Sequence, residues 1–244
     1  MKIAGTVARV QANFDSTAHY FREFLTDEPA EFSITVTQED MDYEQAYSIA
    51  EAHREGIRPR LYTGPHLERV AIQRGFAEYL LPRGGMLLHG STVAVDGKAY
   101  LFTAQCGTGK STHTRLWRQV FGQRAVMVND DKPFLLFTQA GIFACGSPWS
   151  GKHGLHSNVC LPLQGICILE RGVENVISPM AAADALPMLL HQAYEPKAAE
   201  QAATVQALVG QLSQQVPLWH LYCNQDPSAA QVAYDAMSQA GCSR

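Results

Sequence analysis

The chain has 244 residues, a formal net charge of −4, 46% hydrophobic and 17% charged residues. Those values exclude a disordered chain, a coiled coil and a collagen-like repeat. They also argue against a nucleic-acid partner bound through bulk charge, because such a domain is basic. The charge is uneven: residues 1–60 carry 11 acidic and 6 basic side chains, the remainder 12 and 13.

No stretch approaches the roughly 20 apolar residues of a bilayer span, and Met1 to Val10 lacks a long apolar targeting core. A cytoplasmic protein with no membrane partner is expected. The six cysteines, at 106, 145, 160, 167, 223 and 242, form no CxxC pair, so free thiols are expected.

Phe32 to Thr37 alternates at period two and predicts a strand. A helix is expected over Glu44 to Glu55. Ile72, Phe76, Tyr79 and Leu80 line one face of a helix from about His66, ended by Pro82 and Gly84-Gly85. Met86 to Thr103 reads as a β-hairpin turning at Asp96-Gly97. Its second strand runs into Ala104-Gln105-Cys106-Gly107-Thr108-Gly109-Lys110-Ser111-Thr112, and a helix to about Val120 should follow. Ala125 to Val128 is a short strand leading to Asn129-Asp130-Asp131. Further strands are expected at 134–137, 142–145, 163–169 and 216–223, with helices at 181–194, 197–212 and 228–240.

Ala104 to Ser111 matches the Walker A pattern with Ala in place of its first Gly. Glycines let backbone N–H groups curl around phosphate oxygens, Lys110 supplies a cation to the β and γ phosphates, and Ser111 places a hydroxyl on Mg²⁺. The helix that follows adds its N-terminal partial positive charge. The candidate nucleotide-binding residues are therefore Cys106, Gly107, Thr108, Gly109, Lys110, Ser111 and Thr112. Asp130 and Asp131 lie 20 residues on, where a strand-end carboxylate can hold Mg²⁺ or accept a proton from an attacking hydroxyl.

The loop Gly146-Ser147-Pro148-Trp149-Ser150-Gly151-Lys152-His153-Gly154 offers a hydroxyl, a cation and an aromatic. Either it clamps a phosphate or substrate carboxylate, or it is a surface turn plugged by Trp149. His113 and Arg115 face the nucleotide or solvent. Glu170-Arg171 reads as a surface ion pair. His89, alone on an apolar strand, reads as a core residue.

His89-Gly90, the hairpin, the Cys-Gly-Thr-Gly-Lys-Ser loop and the Asp-Asp pair resemble, over roughly Gly85 to Cys223, bacterial HPr kinase/phosphorylase, whose P-loop fold is shared with phosphoenolpyruvate carboxykinase. With Ser-Pro-Trp-Ser-Gly-Lys included, the chain looks most like the HPr-kinase-related proteins labelled serine kinases. The resemblance implies Asp130 as base toward a substrate hydroxyl and His89 near the reacting phosphate. Leu169-Glu170-Arg171-Gly172 lacks the spacer residue and the following Gly-Ile of that family's Leu-Glu-x-Arg-Gly-x-Gly-Ile segment.

The expected fold is α/β: a P-loop kinase core with a mixed central sheet over 84–244, preceded by a small α+β region over 1–83. The expected activity is ATP-dependent phosphorylation of a hydroxyl on a protein, a peptide or a serine-like small molecule. Catalysis would fall to Asp130, Lys110, His89 and Lys152, Mg²⁺ to Ser111 and Asp131, and the acceptor to Ser150, Trp149 and Lys152. A homo-oligomer is plausible by the same resemblance. The rival readings are an NTPase or nucleotide switch, and a nucleotide-binding interaction module without catalysis.

Overall fold

The computed structural model describes residues 1–54 and 56–239. The chain separates into two compact units, the first ending at Tyr79 and the second beginning at Leu80.

In the first unit, β1 (Lys2–Ile3), β2 (Thr6–Gln11) and β3 (Phe32–Thr35) form a three-stranded sheet, with α1 (Asp15–Tyr20) between β2 and β3. β1 and β2 are antiparallel, and β2 and β3 parallel. Two longer helices follow, α2 (Gln38–Arg54) and α3 (Gly64–Leu80). The carboxylate of Glu44 on α2 accepts from the guanidinium of Arg74 on α3, and both side chains are buried. The same guanidinium lies 5.0 and 5.1 Å from the ring centres of Tyr43 and Tyr47, a cation–π arrangement that supports a charge taken out of water. β1, β2 and α1 were not legible in the sequence. The expected helix at Glu44 starts six residues earlier, and its last position, Glu55, lies outside the described residues.

The second unit contains β4 (Gly85–Leu87), β5 (Ser91–Val95), β6 (Lys98–Thr103), α4 (Lys110–Phe121), β7 (Ala125–Asn129), β8 (Phe134–Thr138), β9 (Gly141–Cys145), β10 (Cys160–Arg171), β11 (Val176–Pro179), α5 (Ala182–Gln192), α6 (Ala199–Gln215), β12 (Leu218–Cys223) and α7 (Ser228–Gln239). The expected position Ala240 at the end of α7 lies outside the described residues. The fold class is α/β, with a mixed sheet and seven α-helices among the described residues.

β10 belongs to two layers. Its first residues pair antiparallel with β9, continuing through β8 to β4. Its remainder pairs in parallel with β6 on one side and β12 on the other. β5 is antiparallel to β6 and to β7, so β7 runs with β6. The carboxyl ends of β6, β7, β10 and β12 therefore share one edge of the sheet, together with the start of β5. In open α/β sheets that edge is where ligands bind.

Both faces are covered. Tyr100, Phe102, Leu116, Trp117, Leu221 and Met237 pack the face under α4 and α7, and Leu101, Ile166, Leu189, Val209 and Leu212 the face under α5 and α6.

The expected hairpin is divided. β4 ends at Leu87 and pairs with β8 rather than continuing into β5. Backbone contacts draw the chain away at the break: His89 N–H donates to Gln192 O (2.8 Å) and Gly90 N–H to Asp131 O (3.0 Å). The turn at Asp96 (φ 53°) and Gly97 (φ 77°) does join β5 to β6. Cys145 and Cys160 are facing residues of β9 and β10, joined as a disulfide. That corrects the expectation of free thiols for these two, since register and not spacing brings them together. Cys106, Cys167 and Cys223 are free, and Cys242 lies outside the described residues. No helix among the described residues is long and apolar enough to cross a membrane.

Candidate functional site

The Gly-rich loop joins the end of β6 to the start of α4. Gly107 (φ 77°) and Gly109 (φ 124°) hold backbone conformations that favour glycine. Gly109 caps α4 without a side-chain hydrogen bond, and no acidic residue lies in the first turn. An uncapped N-terminus leaves N–H groups pointing outward, which suits an anion. The Lys110 ammonium donates to Ala104 O at 3.1 Å. Burial pulls its pKa below the usual lysine value, while Cys106, Asp131 and Asp130 oppose that shift.

Asp130 lies just past the end of β7, and its side chain is buried. Its Oδ1 accepts from Ser91 Oγ at 2.6 Å, and Ser91 Oγ lies 2.8 Å from Thr114 Oγ1. Ser91 spends its one hydrogen on Asp130, and Thr114 Oγ1 also lies 3.4 Å from Lys110 O and 3.3 Å from Ser111 O. Burial raises the Asp130 pKa above the usual carboxylate value, against hydrogen bonds from Ser91 and Ser111 and the nearby His153 charge.

Asp131 faces His89, with Nε2 to Oδ1 at 3.2 Å. Burial lowers the His89 pKa, with Lys132 and Lys110 adding to the effect and Asp131 opposing it. A histidine so placed is neutral at pH 7 and donates Nε2–H to Asp131, a hydrogen bond rather than an ion pair. Burial would raise Asp131, but the His89 hydrogen bond and the charges of Lys132 and Lys110 outweigh it, and the pKa is lowered.

Asn129, fully buried at the end of β7, accepts from the N–H of Asp131 (2.8 Å) and Lys132 (2.6 Å). Its amide donates to Ser147 O (2.8 Å), Ser147 Oγ (3.0 Å) and Trp149 O (3.3 Å). Trp149 and Ser150 are buried. Ser150 Oγ lies 2.8 Å from His156 Nδ1. Lys152 lies exposed in the turn Gly151–His153, and no hydrogen bond or ion pair among the described residues joins it to the Gly-rich loop.

Two sequence readings change. Glu170 and Arg171 do not pair with each other. Glu170 meets His220 at 3.2 Å, while Arg171 donates to Gly107 O (2.7 Å) and Thr108 O (3.4 Å). Successive strand residues point to opposite faces, which separates these neighbours. His113 sees neither nucleotide nor solvent. It is buried, its pKa lowered to about 3 by burial, and its Nε2 accepts from Trp117 Nε1–H at 3.0 Å.

Ser91, Thr114, Asn129 and Arg171 were not picked out as site residues. Ser91 follows His89-Gly90, and Asn129 opens the Asn-Asp-Asp run. Nothing local marks Thr114 or Arg171, which the sheet alone brings in.

The oxygen donors of Ser111, Asp130 and Asp131 suit a hard cation. Among the described residues no group of three His, Cys, Asp or Glu forms a metal cage. Mg²⁺ commonly uses one or two carboxylates with substrate phosphates instead. A cavity of about 410 Å³, lined by Val7, Arg9, Phe21, Leu25 and Glu28 among others, lies within the first unit and carries none of these residues.

No family model and no curated protein matches the chain. Among solved structures, it is similar to one described as the HPr(Ser) kinase/phosphatase from Coxiella burnetii. The identity is 10% and the TM-score 0.40, over 64% of this chain and 93% of that chain.

Proposed function

We propose that the chain is an ATP-dependent kinase that transfers the γ-phosphoryl group to a hydroxyl. The observation that carries the reading is that the Gly-rich loop after β6 and Asp130 after β7 lie at the same carboxyl edge of one sheet, with Lys110 and Asp130 close enough to act on each other's charge. The amides of residues 106–112 and the Lys110 ammonium hold the phosphates. Mg²⁺, held by Ser111 and Asp131, would supply charge neutralisation across the phosphates. Asp130 accepts the proton of the acceptor hydroxyl as its oxygen bonds to the γ-phosphorus and the bond to ADP breaks. Its raised pKa suits a base better than an ordinary carboxylate. Lys152 is assigned to charge on the moving phosphoryl group, the neutral His89 to holding Asp131 near the reacting phosphate, and Trp149 and Ser150 to the wall that positions the acceptor.

The hydroxyl donor is a protein, a peptide or a serine-like small molecule. The test is transfer from γ-labelled ATP to L-serine, L-threonine and serine-containing peptides. Asp130→Asn should abolish transfer while keeping ATP binding, and Lys110→Ala should lose both. Absence of ATP binding by the wild type would overturn the reading, and phosphate release with no added acceptor would favour an NTPase.

One observation favours a second assignment within the pair. Ser111 acts to lower the Asp130 pKa, which suits Asp130 as the metal carboxylate and leaves the His89–Asp131 pair as base. In that case Asp130→Asn would weaken Mg²⁺ dependence, and His89→Ala would carry the larger loss of rate.

A further inference from the structure

The acidic pair and the loop over residues 146–159 are far apart in sequence, yet one side chain holds both. Asn129 is an amide, and the site uses both of its ends. The oxygen accepts from Asp131 N–H and Lys132 N–H, which fixes the turn of the acidic pair. The nitrogen donates to Ser147 O, Ser147 Oγ and Trp149 O, which fixes the loop. Ser147 closes the circuit by donating Oγ–H to Lys132 O at 2.6 Å. Backbone bonds run beside it: Asp130 N–H to Leu155 O (3.1 Å) and Ser157 N–H to Val128 O (3.2 Å).

No other side chain fills that role as well. Aspartate offers only acceptors to the two carbonyls, leucine offers nothing, and glutamine is one methylene too long for the same turn. A fully buried polar side chain with every group used rigidifies what it touches and specifies one geometry.

We propose that Asn129 is the positioning residue that locks the acceptor loop to the Asp130–Asp131 pair, so that base and acceptor wall form as one unit. The proposal rests on the kinase reading for its effect on rate, and on geometry alone for its effect on the loop. Among the described residues, the hydrogen bonds of the Asn129 side chain go to the acidic pair and the 146–159 loop and none to the Gly-rich loop, so metal-free nucleotide affinity should not follow it.

Three variants test this: Asn129→Ala, which removes both ends; Asn129→Asp, which keeps the acceptor; and Ser147→Ala, which leaves Asn129 in place. Hydrogen exchange of the intact chain should show the Asp131 and Lys132 amides exposed in Asn129→Ala and still protected in Asn129→Asp. Exchange over residues 146–159 should quicken in both. Transfer from γ-labelled ATP to L-serine, with phosphate release read in parallel, should fall on the order of 100-fold in kcat for Asn129→Ala. The Kd for an ATP analogue measured without Mg²⁺ should stay within about threefold, because that step uses the loop amides and Lys110. Ser147→Ala should lose on the order of tenfold, in the same direction.

Unchanged exchange at Asp131 and Lys132 in Asn129→Ala would overturn the proposal, as would a loss confined to nucleotide affinity. If Asn129→Ala does not fold, full rate and full loop protection in Ser147→Ala would overturn it. If the wild type transfers phosphate to no acceptor, the kinase reading fails, and the exchange pattern still decides the role of Asn129.

Discussion

Asp130 sits where folding favours a neutral side chain. Its pKa is raised by burial, so the folded chain binds that proton more readily than the unfolded chain. Above the folded pKa the ionised group therefore costs stability, and the cost is relieved as pH falls through that value. Asp130→Asn keeps the acceptor for Ser91 and removes the charge. It should raise the melting midpoint at pH 7, by about 2–4 °C for each kcal/mol recovered, while transfer falls on the order of 100-fold or more. Thermal melts and a labelled-phosphate assay check the two halves together. The acid limb of kcat/KM should likewise lie above the ordinary carboxylate value of about 4. Arg171 makes a different demand. It ties the carbonyls of Gly107 and Thr108 to the end of β10, so Arg171→Ala should weaken ATP-analogue binding by about fivefold to tenfold, the worth of one or two such bonds. A titration of the analogue measures it. The sequence could not have given this role: Arg171 beside Glu170 reads as a pair in one dimension, and the pleat sends the two apart.

Turns and helices were easier to read than partners. Asp96-Gly97 specifies a hairpin by backbone chemistry, and Gly107 and Gly109 specify a curl before a helix. Local rules of that kind are written in a few adjacent residues. Which strand lies beside which is not, because parallel neighbours come from distant segments. So the pattern does not separate β4 from β5, does not mark β11, and does not show the disulfide between Cys145 and Cys160. The loop between those cysteines has its own steric condition. A Cβ on Gly146 would collide with the carbonyl oxygens of Ser157 and Val128. Gly146→Ala should therefore dislodge the loop and destabilise the chain by about 1–3 kcal/mol, measured by urea unfolding. Reduction by a dithiol opens the covalent closure of the same loop and should cost on the order of 3 kcal/mol in the chain-entropy view. Melts of the oxidised and reduced chain compare them.

At the scale of the molecule, two units are visible and only the second holds the candidate site. A ligand that binds only the folded second unit should raise the melting transition in which that unit unfolds. At a concentration of 100 times Kd the gain is about 2.7 kcal/mol, and calorimetry with and without an ATP analogue reads it. The first unit has its own sensitive point, the buried pair of Glu44 and Arg74. Arg74→Met alone strands a carboxylate and should cost about 3–5 kcal/mol, whereas replacing both residues by apolar ones should recover most of it. The acidic composition of residues 1–60 hinted at a separate role for this part, but composition says nothing about which charges are buried, and Glu44 is.

The two-sided pairing of β10 also bears on how the chain is made. Leu163 pairs with Ala99, behind it in the sequence, and Ile166 with Leu218, ahead of it. During synthesis β10 meets β6 as soon as it emerges, but its other side stays open until β12 follows. Through that interval an apolar strand edge faces the cell without its neighbour, and such edges invite pairing with other chains. Slower synthesis between β10 and β12, or truncation just before Leu218, should increase aggregation more than a comparable delay after Cys223.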